Sequence, residues 1–121
     1  MTTRARHWAV RLTATAEDDF RGILGWTVQR FGEQQARIYA KTLTNALEAL
    51  SAGPGAIGVT ARDDIAQGLF ALHVARRGRK GRHFIMFRIG AERDQQVIEV
   101  LRFLHDAMDL PRHVRAADES G

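Results

Sequence analysis

The sequence predicts an α+β fold in which an antiparallel sheet packs against an N-terminal helical hairpin, in the order strand, helix, helix, strand, strand, strand. Through the first part of the chain, apolar residues recur at three- and four-residue steps, as on amphipathic helices. The later part instead holds three short runs of apolar and β-branched residues that are separated by loops, as expected for strands. Helices and strands that are segregated along a chain favour a sheet covered by helices on one face.

The first half of the chain predicts one short strand and two helices. Residues 8–12 form an extended pattern, and Thr13 or Thr15 offers a hydroxyl that can cap a following helix. The first apolar stripe ends at Gly32, and a second stripe starts at once and ends at the glycines and proline of residues 53–55. Because one or two residues separate the two helices, we expect them to fold back as an antiparallel hairpin.

The second half predicts a connecting loop over residues 51–68, followed by three strands at about 69–75, 83–89 and 96–104. The loops between the strands are short enough for antiparallel hairpins.

Alternation places apolar side chains on both faces of this sheet. In one strand Ile85 and Phe87 lie on one face of the sheet and Phe84 and Met86 on the other. The next strand likewise divides into two sets of residues that lie on opposite faces. One set is Ile98, Val100, Arg102 and Leu104, and the other is Val97, Glu99, Leu101 and Phe103. Because two helices cover only one face, we expect part of the second face to be exposed and to bind a partner. The alternative is that the 51–68 loop and the C-terminal segment cover it.

Composition is typical of a soluble globular protein of one domain, residues 1–121, with an ordered core at about 8–114 and a flexible tail at 115–121. The chain has no cysteine, which excludes disulfides and thiolate chemistry. No apolar run suggests a signal peptide or a membrane span, so we expect a cytoplasmic protein. The histidines lack metal-ligand spacing and no glycine-rich phosphate loop is present, so we expect no metal and no cofactor.

A basic loop lies between the first two of these three strands. Between residues 69 and 89 there is no acidic residue, and the cations are Arg76, Arg77, Arg79, Lys80, Arg82 and Arg88. This concentration of charge predicts an anionic or acidic partner, and the alternative is a solubilising hairpin tip. We expect Arg79→Ala to change stability little, and Arg102→Ala to weaken the fold or the activity.

Segments spread over residues 10–114 resemble the ParE branch of the RelE/ParE toxins of bacterial toxin–antitoxin pairs. The most specific segment is residues 98–105 followed by residues 108–113. Earlier matching segments are Leu12-Thr13, Ala16-Glu17, Asp19-Phe20, Phe31-Gly32, Gln35-Ala36, Tyr39, Ile65, Gly68-Leu69 and residues 81–88. The order and spacing of these segments carry the resemblance.

The resemblance implies a small toxin of βααβββ layout that poisons DNA gyrase by trapping cleaved DNA, without covalent chemistry of its own. It also implies a ParD-like antitoxin, with a DNA-binding N-terminal dimer and an acidic amphipathic C-terminal segment that folds on the toxin. The expected target-binding residues are Arg82, Arg88, Arg102, His105 and Arg112. The expected antitoxin-binding residues are Phe20, Trp26, Tyr39, Phe84 and Met86.

Two alternatives stay open. A ribosome-dependent RNA-cleaving toxin of the RelE type would use as catalytic residues His83, Arg88, Arg102 and His105. Glu99 could be its base, but Glu99 and His105 would lie about 20 Å apart on one strand. A structural explanation also exists, in which Arg88 and Arg102 pair with Glu99, Asp106 or Asp109, and the histidines cap strand ends. The other alternative is a non-toxic nucleic-acid-binding module.

Overall fold

The computed structural model describes residues 7–108 and residue 110. Its elements are β1 (Ala9–Leu12), α1 (Ala14–Phe31), α2 (Glu33–Ala49), a 3₁₀ turn (Leu50–Ala52), β2 (Thr60–Ala61), β3 (Leu69–His73), β4 (His83–Glu92) and β5 (Gln95–His105). The five strands form one sheet in the order β1-β5-β4-β3-β2, in which β1 is parallel to β5 and the other pairs are antiparallel. The predicted α+β class with an N-terminal helical hairpin is confirmed. Neither described helix has the length and apolar character needed to cross a membrane.

The helical hairpin forms where the sequence predicts it. Thr13 caps α1, because its hydroxyl oxygen accepts a hydrogen bond from the Ala16 amide at 3.1 Å. Gly32 ends α1 and precedes α2 with φ 91°, a backbone conformation that favours glycine. The two-residue strand β2 lies in the segment predicted as a loop, since two residues are too few to show a periodicity.

The main core lies between the hairpin and one face of the sheet. Its fully buried side chains include Leu43, Leu50, Ile85, Phe87 and Ile98. Burial of several large apolar side chains, at about 1.5–3 kcal/mol each, is the main stabilising contribution.

The second face of the sheet is covered, which corrects one expectation. Met86 has no exposed surface, and it packs in a cluster with Leu101, Leu104 and Leu110. Ile65 and Ala66 of the loop before β3 pack against this cluster, with Phe84 half-buried at its edge. The expectation of an open face is therefore wrong at Met86, because the loop and Leu110 cover it.

A bulge changes the phase of β5. Met86 pairs with Arg102 and Phe87 with Val100, so Leu101 has no partner in β4. The extra residue reverses the alternation beyond this point. Phe103 therefore joins the main core, and Leu104 joins the opposite cluster. The uninterrupted alternation expected for residues 97–104 is wrong after Val100.

Candidate functional site

A groove of about 690 Å³ separates the helical hairpin from the loop that joins β3 to β4. Its helical side carries three exposed apolar side chains, Trp26, Phe31 and Ile38, with exposed fractions of 55%, 61% and 49%. Trp26 and Phe31 are in edge contact, with ring centroids 5.7 Å apart. On the loop side lie Lys80 and Arg82. The groove is therefore apolar on one side and cationic on the other.

The floor of the groove is a hydrogen-bonded chain of Tyr39 and His83 beside His105. The Arg82 amide donates to Tyr39 Oη at 3.1 Å, and a hydrogen bond of 2.7 Å joins Tyr39 Oη to His83 Nδ1. His83 pairs with His105 across β4 and β5, and their ring centroids are 5.3 Å apart. The open question of their register is thus resolved in favour of proximity.

Burial shifts the pKa values of His83 and Tyr39 in opposite directions. Burial and the nearby His105 ring lower the pKa of His83 from 6.5 to about 4. Burial also raises the pKa of Tyr39 above its usual 10.0. Both groups are therefore neutral near pH 7.

Gly81 lets the loop approach this floor closely. A Cβ atom at Gly81 would lie 2.5 Å from Val74 Cγ2 and 3.1 Å from the Tyr39 hydroxyl. Val74 is fully buried and its branched side chain cannot easily move away. Glycine at this position thus permits the backbone contact between Arg82 and Tyr39.

Asp106 joins the ends of three strands behind the groove. Its carboxylate contacts His73 Nε2 at 3.0 Å and Arg82 Nε at 3.1 Å. The Ala75 amide donates to His73 Nδ1 at 3.0 Å, so the neutral His73 ring carries its proton on Nε2 and donates it to Asp106. Hydrogen bonds from His73 and then from Arg82 lower the pKa of the Asp106 carboxyl.

His73 was not among the candidate residues predicted from the sequence. A signal was available, because histidines lie at the end of β3, the start of β4 and the end of β5. Because β3, β4 and β5 are adjacent and antiparallel, these three strand ends lie side by side at one end of the sheet.

Arg102 is not on an open surface. Its Nε and Nη2 atoms donate to Asp19 at 2.7 Å and 3.0 Å, and Asp19 also accepts from the Phe103 amide at 3.0 Å. The exposed fractions of the two side chains are 18% and 15%. Within residues 7–108 the carboxylate that binds Arg102 therefore comes from α1 and not from Glu99 or Asp106, while Asp109 lies outside the described residues.

Arg88 pairs with Glu99 at 2.6 Å, which confirms the expected ion pair. It lies five residues from His83 along β4, a separation of about 17 Å by strand rise. The four residues of the ribonuclease alternative therefore do not meet at one point. The candidate Arg112 lies outside the described residues.

The basic loop is fixed to α2 and is not a loose hairpin tip. Arg79 donates to Thr42 Oγ1 at 3.3 Å. With its amide oriented to satisfy its neighbours, Asn45 Oδ1 accepts from Arg79 Nη2 at 2.7 Å and from Nε at 2.9 Å. Arg76 Nη2 donates to the Ile57 carbonyl at 3.0 Å. Among the described residues, no group of three or more potential ligands is arranged to hold a metal ion.

Comparison with known proteins assigns this chain to a family. Residues 10–110, from β1 to the residue that closes the second cluster, match the family model "ParE toxin of type II toxin-antitoxin system, parDE". The chain belongs to the ParE toxin family. Toxin ParE1 of Caulobacter vibrioides is 30% identical over 104 residues, which cover 86% of this chain and 95% of that protein. Family membership implies an antitoxin as partner of this ParE toxin.

The five candidate antitoxin-binding residues of this ParE toxin do not form one surface. Trp26 and Tyr39 both line the groove. Phe20 is half-buried against Phe103, with ring centroids 5.7 Å apart, and Phe84 contacts His73 at 4.8 Å between centroids. Met86 is inaccessible in this conformation. The groove adds two exposed residues that the sequence analysis did not select, Phe31 and Ile38.

Proposed function

We propose that this ParE toxin inhibits growth by binding DNA gyrase and trapping cleaved DNA, and that a ParD-like antitoxin holds it inactive. Gyrase as the target follows from the resemblance of the chain to the ParE branch. The observation that favours binding over RNA cleavage is the separation of the candidate catalytic residues. Arg88 is about 17 Å from His83 along β4, too far for both to act on one phosphate.

The chemistry of the remaining candidates also favours binding. Cleavage through a 2′-hydroxyl needs a base, an acid and a cation around one phosphate. With a pKa of about 4, His83 is already deprotonated near pH 7 and is a poor proton donor there. The guanidinium of Arg102 is directed to Asp19. Of the four candidate catalytic residues only His83 and His105 line the groove, so the four are not gathered around one phosphate.

The groove has the composition that an acidic, amphipathic antitoxin segment requires. Such a segment can bury its apolar face against Trp26, Phe31 and Ile38. Its acidic face then meets Lys80 and Arg82 on the opposite side. Apolar burial offsets the cost of ordering a segment that folds on binding.

A cleavage assay with purified gyrase, supercoiled plasmid and ATP tests the proposed target. We expect the toxin to produce linear plasmid that appears after the gyrase is denatured and digested, and we expect the antitoxin to abolish it. Intact plasmid, together with codon-position cuts in ribosome-bound message, would instead support the RelE-type alternative.

Binding measurements on groove variants test the antitoxin site. We expect Trp26→Ala to weaken binding of the antitoxin encoded beside this gene by about 30-fold, as for a central aromatic anchor worth about 2 kcal/mol. Ile57→Ala is the matched control, because Ile57 is 81% exposed but does not line the groove. Equal affinities for the two variants in calorimetric titrations would refute the groove as the antitoxin site.

A further inference from the structure

The loop between β3 and β4 carries more positive charge than its surroundings neutralise. Arg82 is paired with Asp106 at 3.1 Å. The other cations of this loop are Arg76, Arg77, Arg79 and Lys80. Two of them bind neutral oxygens of Ile57, Thr42 and Asn45. None of the four forms an ion pair with a carboxylate of residues 7–108.

Backbone hydrogen bonds hold the main chain of this loop in one conformation. The Val74 amide donates to the His83 carbonyl at 3.0 Å, and the Arg79 amide donates to the Arg76 carbonyl at 3.1 Å. The enclosed turn places Arg77 and Gly78 at φ 53° and 79°. A ligand that binds this loop therefore pays little to order its backbone.

A polar pocket of about 300 Å³ lies between this loop and α2. The three arginines of its rim, Arg76, Arg77 and Arg79, face Asn45 and Glu48. Of its apolar residues, Ala46 and Val74 are 1% and 0% exposed and Ala49 is half-buried, so the pocket offers less apolar surface than the groove does.

This chemistry distinguishes between two kinds of anionic partner. An acidic peptide that folds on binding must bury apolar surface to offset its ordering. A phosphate backbone needs no such burial, because release of condensed counterions supplies the affinity. Guanidinium groups also match the oxygens of a phosphate in bidentate geometry. The polar arginine pocket therefore favours phosphates, in contrast to the amphipathic groove on the other side of the loop.

We propose that the loop of residues 76–80 binds the backbone phosphates of duplex DNA. The choice of DNA rests on the proposed function, because gyrase holds a duplex where the toxin would act. The loop would then contact the DNA that gyrase holds, while another part of the toxin contacts gyrase. Phosphate contacts carry no sequence information, so the binding is independent of sequence.

Fluorescence anisotropy of a labelled duplex of about 20 base pairs, with the full chain and without gyrase, tests this inference. We expect weak binding, with Kd of about 10⁻⁴ to 10⁻⁶ M, that falls steeply as salt rises. The double variant Arg77→Ala/Lys80→Ala should bind about tenfold more weakly at low salt, with a salt slope smaller by about two. Both side chains are exposed, so the substitutions leave the fold intact, which a thermal melt verifies.

The control is Arg11→Gln/Arg93→Asn, which removes the same formal charge away from the loop, since the Arg11 side chain contacts Glu92 at the far end of β4 at 3.4 Å. Arg93 lies in the β4–β5 turn, ten residues and about 33 Å along the strand from His83. We expect this control to keep the affinity and salt slope of the wild type to within about twofold, since it touches no loop cation. Equal losses in both double variants would show an effect of net charge and overturn the inference.

Competition with poly-glutamate identifies the kind of anion. If poly-glutamate displaces the labelled duplex more effectively than unlabelled duplex does at equal charge concentration, the loop prefers an acidic protein segment and the inference is wrong. The gyrase assay remains independent of this result. A toxin that traps cleaved plasmid but fails to bind duplex retains the proposed function and loses the DNA-binding loop. A toxin that binds duplex but does not trap cleaved plasmid retains the DNA-binding loop and loses the proposed function.

Discussion

Removal of the Asp19 carboxylate should destabilise this toxin more than any other single loss of charge on α1. Asp19 accepts hydrogen bonds from Arg102 at 2.7 Å and 3.0 Å and from the Phe103 amide at 3.0 Å. Asp19→Ala would leave the Arg102 guanidinium and this amide without that acceptor in a site where Arg102 is only 18% exposed. Charges in such sites are costly when their partner is removed.

The magnitude follows from this burial. Breaking one side of a fully buried ion pair costs about 3–5 kcal/mol. Because this pair keeps some solvent access, we expect Asp19→Ala to cost about 3 kcal/mol, at the lower end of that range. For a domain of this size that loss lowers Tm by about 10 °C. Asp19→Asn retains an acceptor for the Phe103 amide, so we expect about half of the loss.

Urea denaturation followed by circular dichroism measures these differences, and an unchanged m-value verifies that the unfolding reactions are comparable. Asp18→Ala is the matched control, because Asp18 is the neighbouring residue of α1 and pairs with Arg21 at 2.6 Å on the surface. Exposed pairs of this kind contribute below about 1 kcal/mol. The reasoning would be refuted if Asp19→Ala and Asp18→Ala lowered the free energy of unfolding equally.

Two further predictions concern the groove and the loop. Because the pKa of His83 is lowered from 6.5 to about 4, the folded state favours the neutral ring. Below pH 6.5 the unfolded chain binds a proton that the folded protein does not. The folded protein therefore keeps its full stability above pH 6.5 and loses part of it as the pH falls toward 4. Solvent screening of this half-buried ring reduces the loss of stability to about 1–2 kcal/mol. Urea titrations between pH 4 and 6.5 should show that the free energy of unfolding depends less on pH in His83→Asn than in the wild type. Equal pH dependence in the two proteins would argue against this role of His83. Arg79→Ala should cost about 1 kcal/mol, because it removes the hydrogen bonds to Thr42 and Asn45, while Lys80→Ala should leave the urea midpoint unchanged. Identical midpoints for these two variants would contradict the structural role of Arg79.

The elements with a clear period were predictable from the sequence. The two helices follow from apolar residues at helical spacing, and Gly32 marks the end of α1. The strands β3, β4 and β5 follow from their apolar runs, although β4 and β5 extend a few residues beyond the predicted bounds. The sequence predicted little change in stability for Arg79→Ala, whereas the hydrogen bonds from this side chain to Thr42 and Asn45 of α2 predict a larger loss. Contacts between distant segments have no local signature.

The same limit applies to the candidate site. Trp26 was selected because it lies off the main helical stripe, and the structure exposes it in the groove. The carboxylate that binds Arg102 was missed because Asp19 also suits the start of a helix, where negative charge is favourable in any case. A residue with a sufficient local explanation gives no signal of a second, tertiary role.

One extra residue in β5 decides how the site is assembled. The turn between β4 and β5 consists of two residues with positive φ, Arg93 and Asp94, as in tight hairpins. Counting back from this turn without a bulge would pair His83 with Leu104. The unpaired Leu101 shifts the register by one, so that His83 meets His105 beside Tyr39. The alternation of a regular strand cannot report such a shift, because a bulge becomes visible only when the partner strand is known. The arrangement of Tyr39, His83 and His105 at the floor of the groove therefore depends on how β4 pairs with β5. The sequence is compatible with more than one register of these strands, so this arrangement could not be predicted from it.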